Sequence, residues 1–223
     1  MIDHATAGQT TQLLTTFHLK SFIDLRSPLE QPLPPPVQPS PRQNYHKIPY
    51  PSPDHLTRTI LPRLAITRRV QLFLTPRNST QTYLSKKYIH QPTGPKNKAH
   101  DCTHWLGPEI KDVFNVLGNR RKWPVLLYCA NGADRTGMMV VLILIAVLGF
   151  EYADEIETEH RFAGVDGTDG VVGMIVEAVK RNGGIDAFLA SVGVGAGQLR
   201  AIRNKLGVRN SGSDTGEDTD VKF

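Results

Sequence analysis

Pro124-Val125-Leu126-Leu127-Tyr128-Cys129-Ala130-Asn131-Gly132-Ala133-Asp134-Arg135-Thr136-Gly137, with the apolar run that continues to Leu148, decides how this chain is read. Val125 to Tyr128 is a short run of strand formers behind a proline, the size of a buried strand. Met138 to Leu148 is too long for such a strand and stops at Gly149, as a helix does. The pattern predicts strand, tight loop, helix. The first N–H groups of a helix have no intrahelical partners, and here they and the loop amides converge on one point. The helix dipole adds positive potential at that point, which makes it an anion site. Gly132 lets the backbone bend and approach a ligand closely. Arg135 offers a planar fork of donors to two oxygens of a phosphate. Cys129 lies at the floor of the same cradle. A thiol facing a helix N-terminus and an arginine is expected to have its pKa drawn down to roughly 3.5–7.5. As a thiolate under a bound phosphate, it is placed for in-line attack on phosphorus.

A cysteine and an arginine at this spacing carry little information alone. Gly132, Asp134, Thr136 and Gly137 in strand–loop–helix context add the rest. The segment Cys129-Ala130-Asn131-Gly132-Ala133-Asp134-Arg135-Thr136-Gly137 resembles the Cys-x5-Arg signature of cysteine-dependent phosphatases. It is most similar to the IphP-like tyrosine phosphatase family, whose loop usually reads HCxxGKDRTG. Ile23-Asp24-Leu25-Arg26-Ser27-Pro28-Leu29-Glu30 resembles that family's DLRSxxE strand end. Phe188 to Val194, then Leu199-Arg200 and Leu206, resembles its C-terminal helices. The likeness covers these three separated segments, with a divergent middle.

The resemblance implies an α/β fold: a single cysteine-phosphatase-like domain, with a central, mostly parallel sheet flanked by helices and a helical C-terminal part. It implies hydrolysis of phosphate monoesters through a phosphocysteine, with phosphotyrosine, phosphoserine or phosphothreonine, or a phosphoinositide as substrate. Cys129 is the expected nucleophile and Arg135 the expected phosphate clamp. Asp134 is the expected general acid, with Asp101 second by analogy with phosphatases that use a separate acid loop. Ala130, Asn131, Gly132, Ala133, Thr136 and Gly137 are expected to line the bound phosphate. The Thr136 hydroxyl is expected to hydrogen-bond the Cys129 sulfur and improve it as a leaving group. No metal or other cofactor is expected, because Arg135 and the amides supply the electrostatic stabilisation. Two positions depart from the family pattern. Tyr128 stands where a histidine usually precedes the cysteine, which predicts a less acidic thiol. Ala133 stands where a lysine is usual, which weakens the case for highly charged substrates. Two other functions stay open: a phosphate-binding module without turnover, and an enzyme acting on RNA 5′ phosphates.

At 223 residues with 39% hydrophobic content, one domain with a real core is the default. The net charge of +5 and pI near 9.3 suit an anionic substrate without naming it. Cys102 and Cys129 are the only cysteines, too few for a disulfide framework. With no secretory signal and no stretch of some 18 apolar residues, a cytoplasmic location is expected. In that reading residues 1–20 are an N-terminal segment, truncated or altered because the family's N-R-D-x-G-G-like segment is missing. Residues 21–208 are the phosphatase domain, with a Pro-rich insertion at about 31–57. Residues 209–223 are a disordered acidic tail.

Thr11 to Lys20 is expected as a short helix and Phe22 to Leu25 as a strand, with Asp24 and Arg26 pointing to opposite faces. That pair either braces the catalytic loop or is a surface charge pair. The Pro34-Pro35-Pro36 run suits a polyproline-binding partner, though a tolerated surface insertion explains it more simply. Within the insertion, His46 to Pro49 is expected as a strand. Helices are expected at Thr57–Phe73, Thr80–Tyr88, Glu109–Leu117, Tyr152–Phe162, Val171–Arg181, Ile185–Ser191 and Ala196–Leu206. The middle segment is rich in Lys and Arg, yet an ordinary solvated face accounts for it and nucleic acid is not expected as a partner. His100-Asp101-Cys102-Thr103-His104 lacks a second ligand cluster at zinc spacing. Cys102 could act as a resolving thiol for Cys129.

Overall fold

The computed structural model describes residues 7–32, 37–88, 107–130, 132, 135–162 and 171–207. Among these residues the centre is a parallel sheet of three strands: β1 (Ser21–Asp24), β2 (Asn44–Lys47) and β3 (Val125–Tyr128), ordered β2-β1-β3. Ile23 aligns with His46 on one side and Leu127 on the other. Every β1 residue is buried, as the middle strand of a parallel sheet must be, whereas β2 is a partly exposed edge.

The two sheet faces carry different residues because side chains alternate along a strand. One face presents Ile23, Leu25, Leu127 and Cys129 to the main core. That core is filled by α5 (Glu109–Leu117) and α6 (Arg135–Leu148). The other face presents Phe22, Leu126 and Tyr128, covered by Leu19, Val37 and the leucines Leu13 and Leu14 of α1 (Ala7–Phe17).

Helix α6 is apolar around most of its circumference because it is wrapped on several sides. Met139, Leu142, Ile145 and Ala146 are all buried within it. Its neighbours are α5, α7 (Ala153–Phe162), α8 (Val171–Arg181), α9 (Ile185–Ser191) and α10 (Ala196–Lys205). Gly149 ends α6 at φ +106°, a conformation that suits glycine.

Several expected boundaries move. The first helix begins at Ala7 rather than Thr11. The single helix expected over Thr57–Phe73 is two: α2 (Pro53–Ile60) and α3 (Ile66–Phe73). A 3-10 turn at Leu61–Arg63 and extended backbone at Leu64 and Ala65 separate them. Pro62 has no N–H to continue the ladder of α2. Helix α2 begins early because Ser52 caps it, its side chain accepting the His55 N–H at 3.1 Å, with Pro53 fitting the first turn. Helix α4 (Arg77–Tyr88) packs on α2 through a small cluster of Leu56, Ile60 and Leu84. The Pro-rich stretch is not a simple surface insertion: it supplies β2, and Val37 and Tyr50 are fully buried. Its strand is Asn44–Lys47 rather than His46–Pro49. Residues 33–36, 89–106 and 208–223 lie outside the described residues, and with them the triple-proline run, the His100 to His104 cluster and the acidic tail. Among the described residues, no helix is long and apolar enough to cross a membrane.

Candidate active site

The C-terminal ends of β1 and β3 meet at one edge of the sheet, where α6 begins. Asp24 is in register with Tyr128, and the Leu25 N–H bonds the Tyr128 carbonyl at 2.9 Å. The chain therefore leaves β3 at Cys129 directly beside Leu25 to Glu30. Cys129 is 2% exposed and its thiol is free. The Gly132 N–H points back at the Cys129 Sγ, 3.2 Å away. Gly132 reaches that position at φ +72°, a left-handed conformation that a side chain disfavours. Arg135 is the first residue of α6, three residues before the expected start, so its buried guanidinium sits at the helix N-terminus.

Glu30 holds Arg135 in place. Its two carboxylate oxygens accept from both terminal nitrogens of Arg135, at 2.5 and 2.7 Å, a fork-on-fork pairing. The Leu25 carbonyl accepts from the same guanidinium at 3.4 Å. A turn over Ser27 brings Glu30 back to the strand end: the Glu30 N–H bonds the Ser27 carbonyl, and the Ser27 N–H bonds Glu30 Oε2 at 2.7 Å. Burial alone would raise the Glu30 pKa. The Arg135 hydrogen bonds and charge outweigh it and bring it down to about 2, so Glu30 is a carboxylate throughout the physiological range.

Asp24 and Arg26 are not on opposite faces. Residues two apart share a face of a strand, and Arg26 folds onto Asp24 with Nε at 3.0 Å and a terminal nitrogen at 2.8 Å. Both are buried, so the surface-pair reading falls. Tyr45 also donates to Asp24, and the Tyr128 hydroxyl donates to Tyr45 at 3.2 Å. Burial would raise the Asp24 pKa, but hydrogen bonds from Arg26 and Tyr45 hold it below the usual carboxylate range. Burial, with the Tyr45 hydrogen bond, pushes the Tyr128 phenol up. This network lies on the sheet face opposite Cys129. Tyr128, standing in the family's histidine position, therefore works on the reverse side from the thiol.

The structure brings Cys129, Gly132 and Arg135 into one loop, with Ala130 and the buried Gly137 beside them. The expected hydrogen bond from Thr136 to the sulfur is not formed, and Thr136 Oγ1 is buried without a partner among the described residues. Asn131, Ala133 and Asp134 lie outside the described residues, as do Asp101 and Cys102. Glu30 and Tyr45 were not singled out from the sequence. The signal for Glu30 was present in the final residue of the DLRSxxE-like stretch.

A profile of the tyrosine phosphatase family matches residues 1–159, a span that includes this loop and its Glu30 clamp. The chain belongs to the tyrosine phosphatase family. The family match ends before α8, so the C-terminal helices lie beyond it. Over 122 residues the chain is 25% identical to "Putative tyrosine-protein phosphatase OCA1" of Meyerozyma guilliermondii. That alignment covers 55% of this chain and spans 59% of the length of the relative.

Proposed function

We propose that this member of the tyrosine phosphatase family hydrolyses phosphate monoesters, phosphotyrosine foremost, through a phosphocysteine. The observation that carries the reading is the Arg135 guanidinium, buried at the N-terminus of α6 and held by Glu30, on the loop where a backbone N–H faces the Cys129 sulfur. A dianion docks on the loop amides and Arg135. Thr136 Oγ1, buried and unpartnered among the described residues, is a donor for a phosphate oxygen or for the sulfur.

The Cys129 thiolate attacks phosphorus, the S–P bond forms and the P–O bond to the leaving group breaks. Asp134 donates its proton to the departing oxygen, with Asp101 the second candidate for that role. Water then attacks phosphorus, the same carboxylate takes its proton, and the S–P bond breaks to return the thiolate. Ala133 in place of lysine removes one cation from the loop, which favours singly phosphorylated protein side chains over polyphosphorylated lipids. The mechanism needs a free thiol, which suits a reducing, cytoplasmic compartment.

The test is aryl phosphate hydrolysis in the presence of chelator, wild type beside Cys129→Ser. Turnover that survives chelator and vanishes in the variant is expected. A folded wild type that binds vanadate without turnover overturns the enzyme in favour of a phosphate-binding module.

A further inference from the structure

Helix α3 presents an apolar stripe to solvent. Ile66, Val70, Phe73 and the following Leu74 are 71%, 55%, 85% and 78% exposed. At 3.6 residues per turn, these positions fall within an arc of about 100°, one face of one helix. The opposite side faces the protein: Leu72 is buried, and Arg68 stacks on the Tyr83 ring at 4.6 Å. Scattered exposed hydrophobics are ordinary, but four on one helical stripe mark an interaction surface.

The charge around the stripe narrows what covers it. From Pro53 to Tyr88 the chain carries seven lysines and arginines against one acid, Asp54. Arg69 sits on α3 next to the edge of the stripe, and Arg63 ends the 3-10 turn that leads into the helix. The Arg69 side chain is fixed by donating to the Leu64 carbonyl at 2.8 Å, so this cation is held beside the approach to α3. A second copy of this surface would bring like charges together around the apolar contact. An anionic phospholipid surface supplies the opposite charge and an apolar layer for Phe73 and Leu74 to enter. Protruding side chains on one short helix suit such a soft, planar partner, and apolar residues beside arginines are the pattern of helices that lie in a membrane interface.

We propose that α3 is a peripheral docking element for anionic phospholipid, inserting Ile66, Val70, Phe73 and Leu74 between headgroups that the surrounding arginines attract. Its membrane would be one with acidic lipid on the accessible leaflet, such as a cytoplasmic face. The helix packs on α4, none of its residues belongs to the main core, and docking leaves the sheet untouched.

The test is co-sedimentation of the full chain with phosphatidylcholine vesicles containing about one-third phosphatidylserine, against pure phosphatidylcholine vesicles. The second protein is the Phe73→Ser/Leu74→Ser double variant, its fold checked by circular dichroism. Binding to the acidic vesicles alone is expected, weakened by salt and at least about tenfold weaker in the variant. Absence of binding to acidic vesicles overturns the proposal, as does equal binding to both vesicle types. Undiminished binding by the double variant overturns the assignment to α3. Self-association that needs Phe73 and Leu74, without vesicle binding, overturns it in favour of a second copy. None of these readouts depends on turnover.

Discussion

At the scale of residues, the Glu30–Arg135 pair is the contact on which the site most depends. Both side chains are nearly buried, at 12% and 6% exposure, so removing one takes from the other a buried, doubly hydrogen-bonded partner of opposite charge. Glu30→Gln keeps the shape but gives up the charge and one acceptor. Its kcat/KM is expected to fall by about ten- to a hundredfold, because a guanidinium displaced by about an ångström no longer meets the phosphate. The same pair sets a pH dependence. The Glu30 pKa drops from 4.5 to about 2 on folding, so its contribution is fully present above pH 4.5 and is lost as pH falls toward 2. Urea unfolding at several pH values should show the acid-side loss in wild type and a flatter profile in Glu30→Gln. Tyr128→Phe tests the reverse face of the sheet. It removes the hydroxyl donated to Tyr45 and should cost about 1 kcal/mol of stability in denaturant titration. Its turnover should stay within a few-fold of wild type, since the hydroxyl faces away from Cys129.

At the scale of elements, the loop and α6 make opposite demands on sequence. Gly132 holds φ +72°, and a Cβ there would meet nothing within 4 Å among the described residues, so Gly132→Ala is a conformational change. The strain is about 1–2 kcal/mol and falls on the loop that aims the amides. Vanadate affinity measured by titration should drop by about tenfold, the equivalent of that strain, while the fold persists. Helix α6 tests packing instead. Ile145 is fully buried, and Ile145→Ala should cost about 2–5 kcal/mol. Val140 on the same helix is 38% exposed, and Val140→Ala should stay within about 0.5 kcal/mol. Thermal unfolding of the two variants side by side checks the difference.

The whole molecule has cores of unequal size. The main core joins one sheet face to α5, α6 and the C-terminal helices, while α2 and α4 share a separate cluster around Leu56, Ile60 and Leu84. Few buried apolar contacts mean a low free energy of local opening. Native-state hydrogen exchange should show the amides of α2 to α4 opening well below the global unfolding free energy, and those of β1, β3 and α6 near it. Equal protection across both regions would refute two-tier stability.

The elements legible in sequence were those whose own residues specify them. Val125–Tyr128, Glu109–Leu117, Val171–Arg181 and Ile185–Ser191 match the expected bounds because apolar runs and glycine stops act over one or two turns. The Cys129 to Gly137 spacing, read with the strand before it and the helix after it, was enough to point to a phosphate loop. Tertiary structure decided the remainder. Glu30 reaches Arg135 across 105 positions of chain, and no local pattern records such a pairing. Tyr45 joins Tyr128 only because β2 and β3 flank β1, which also drew a proline-rich stretch into the sheet. Local propensity determined which segments become helix or strand. Only packing, which brings distant residues to the same edge of a sheet, decided which charge holds the arginine and which face the tyrosine serves.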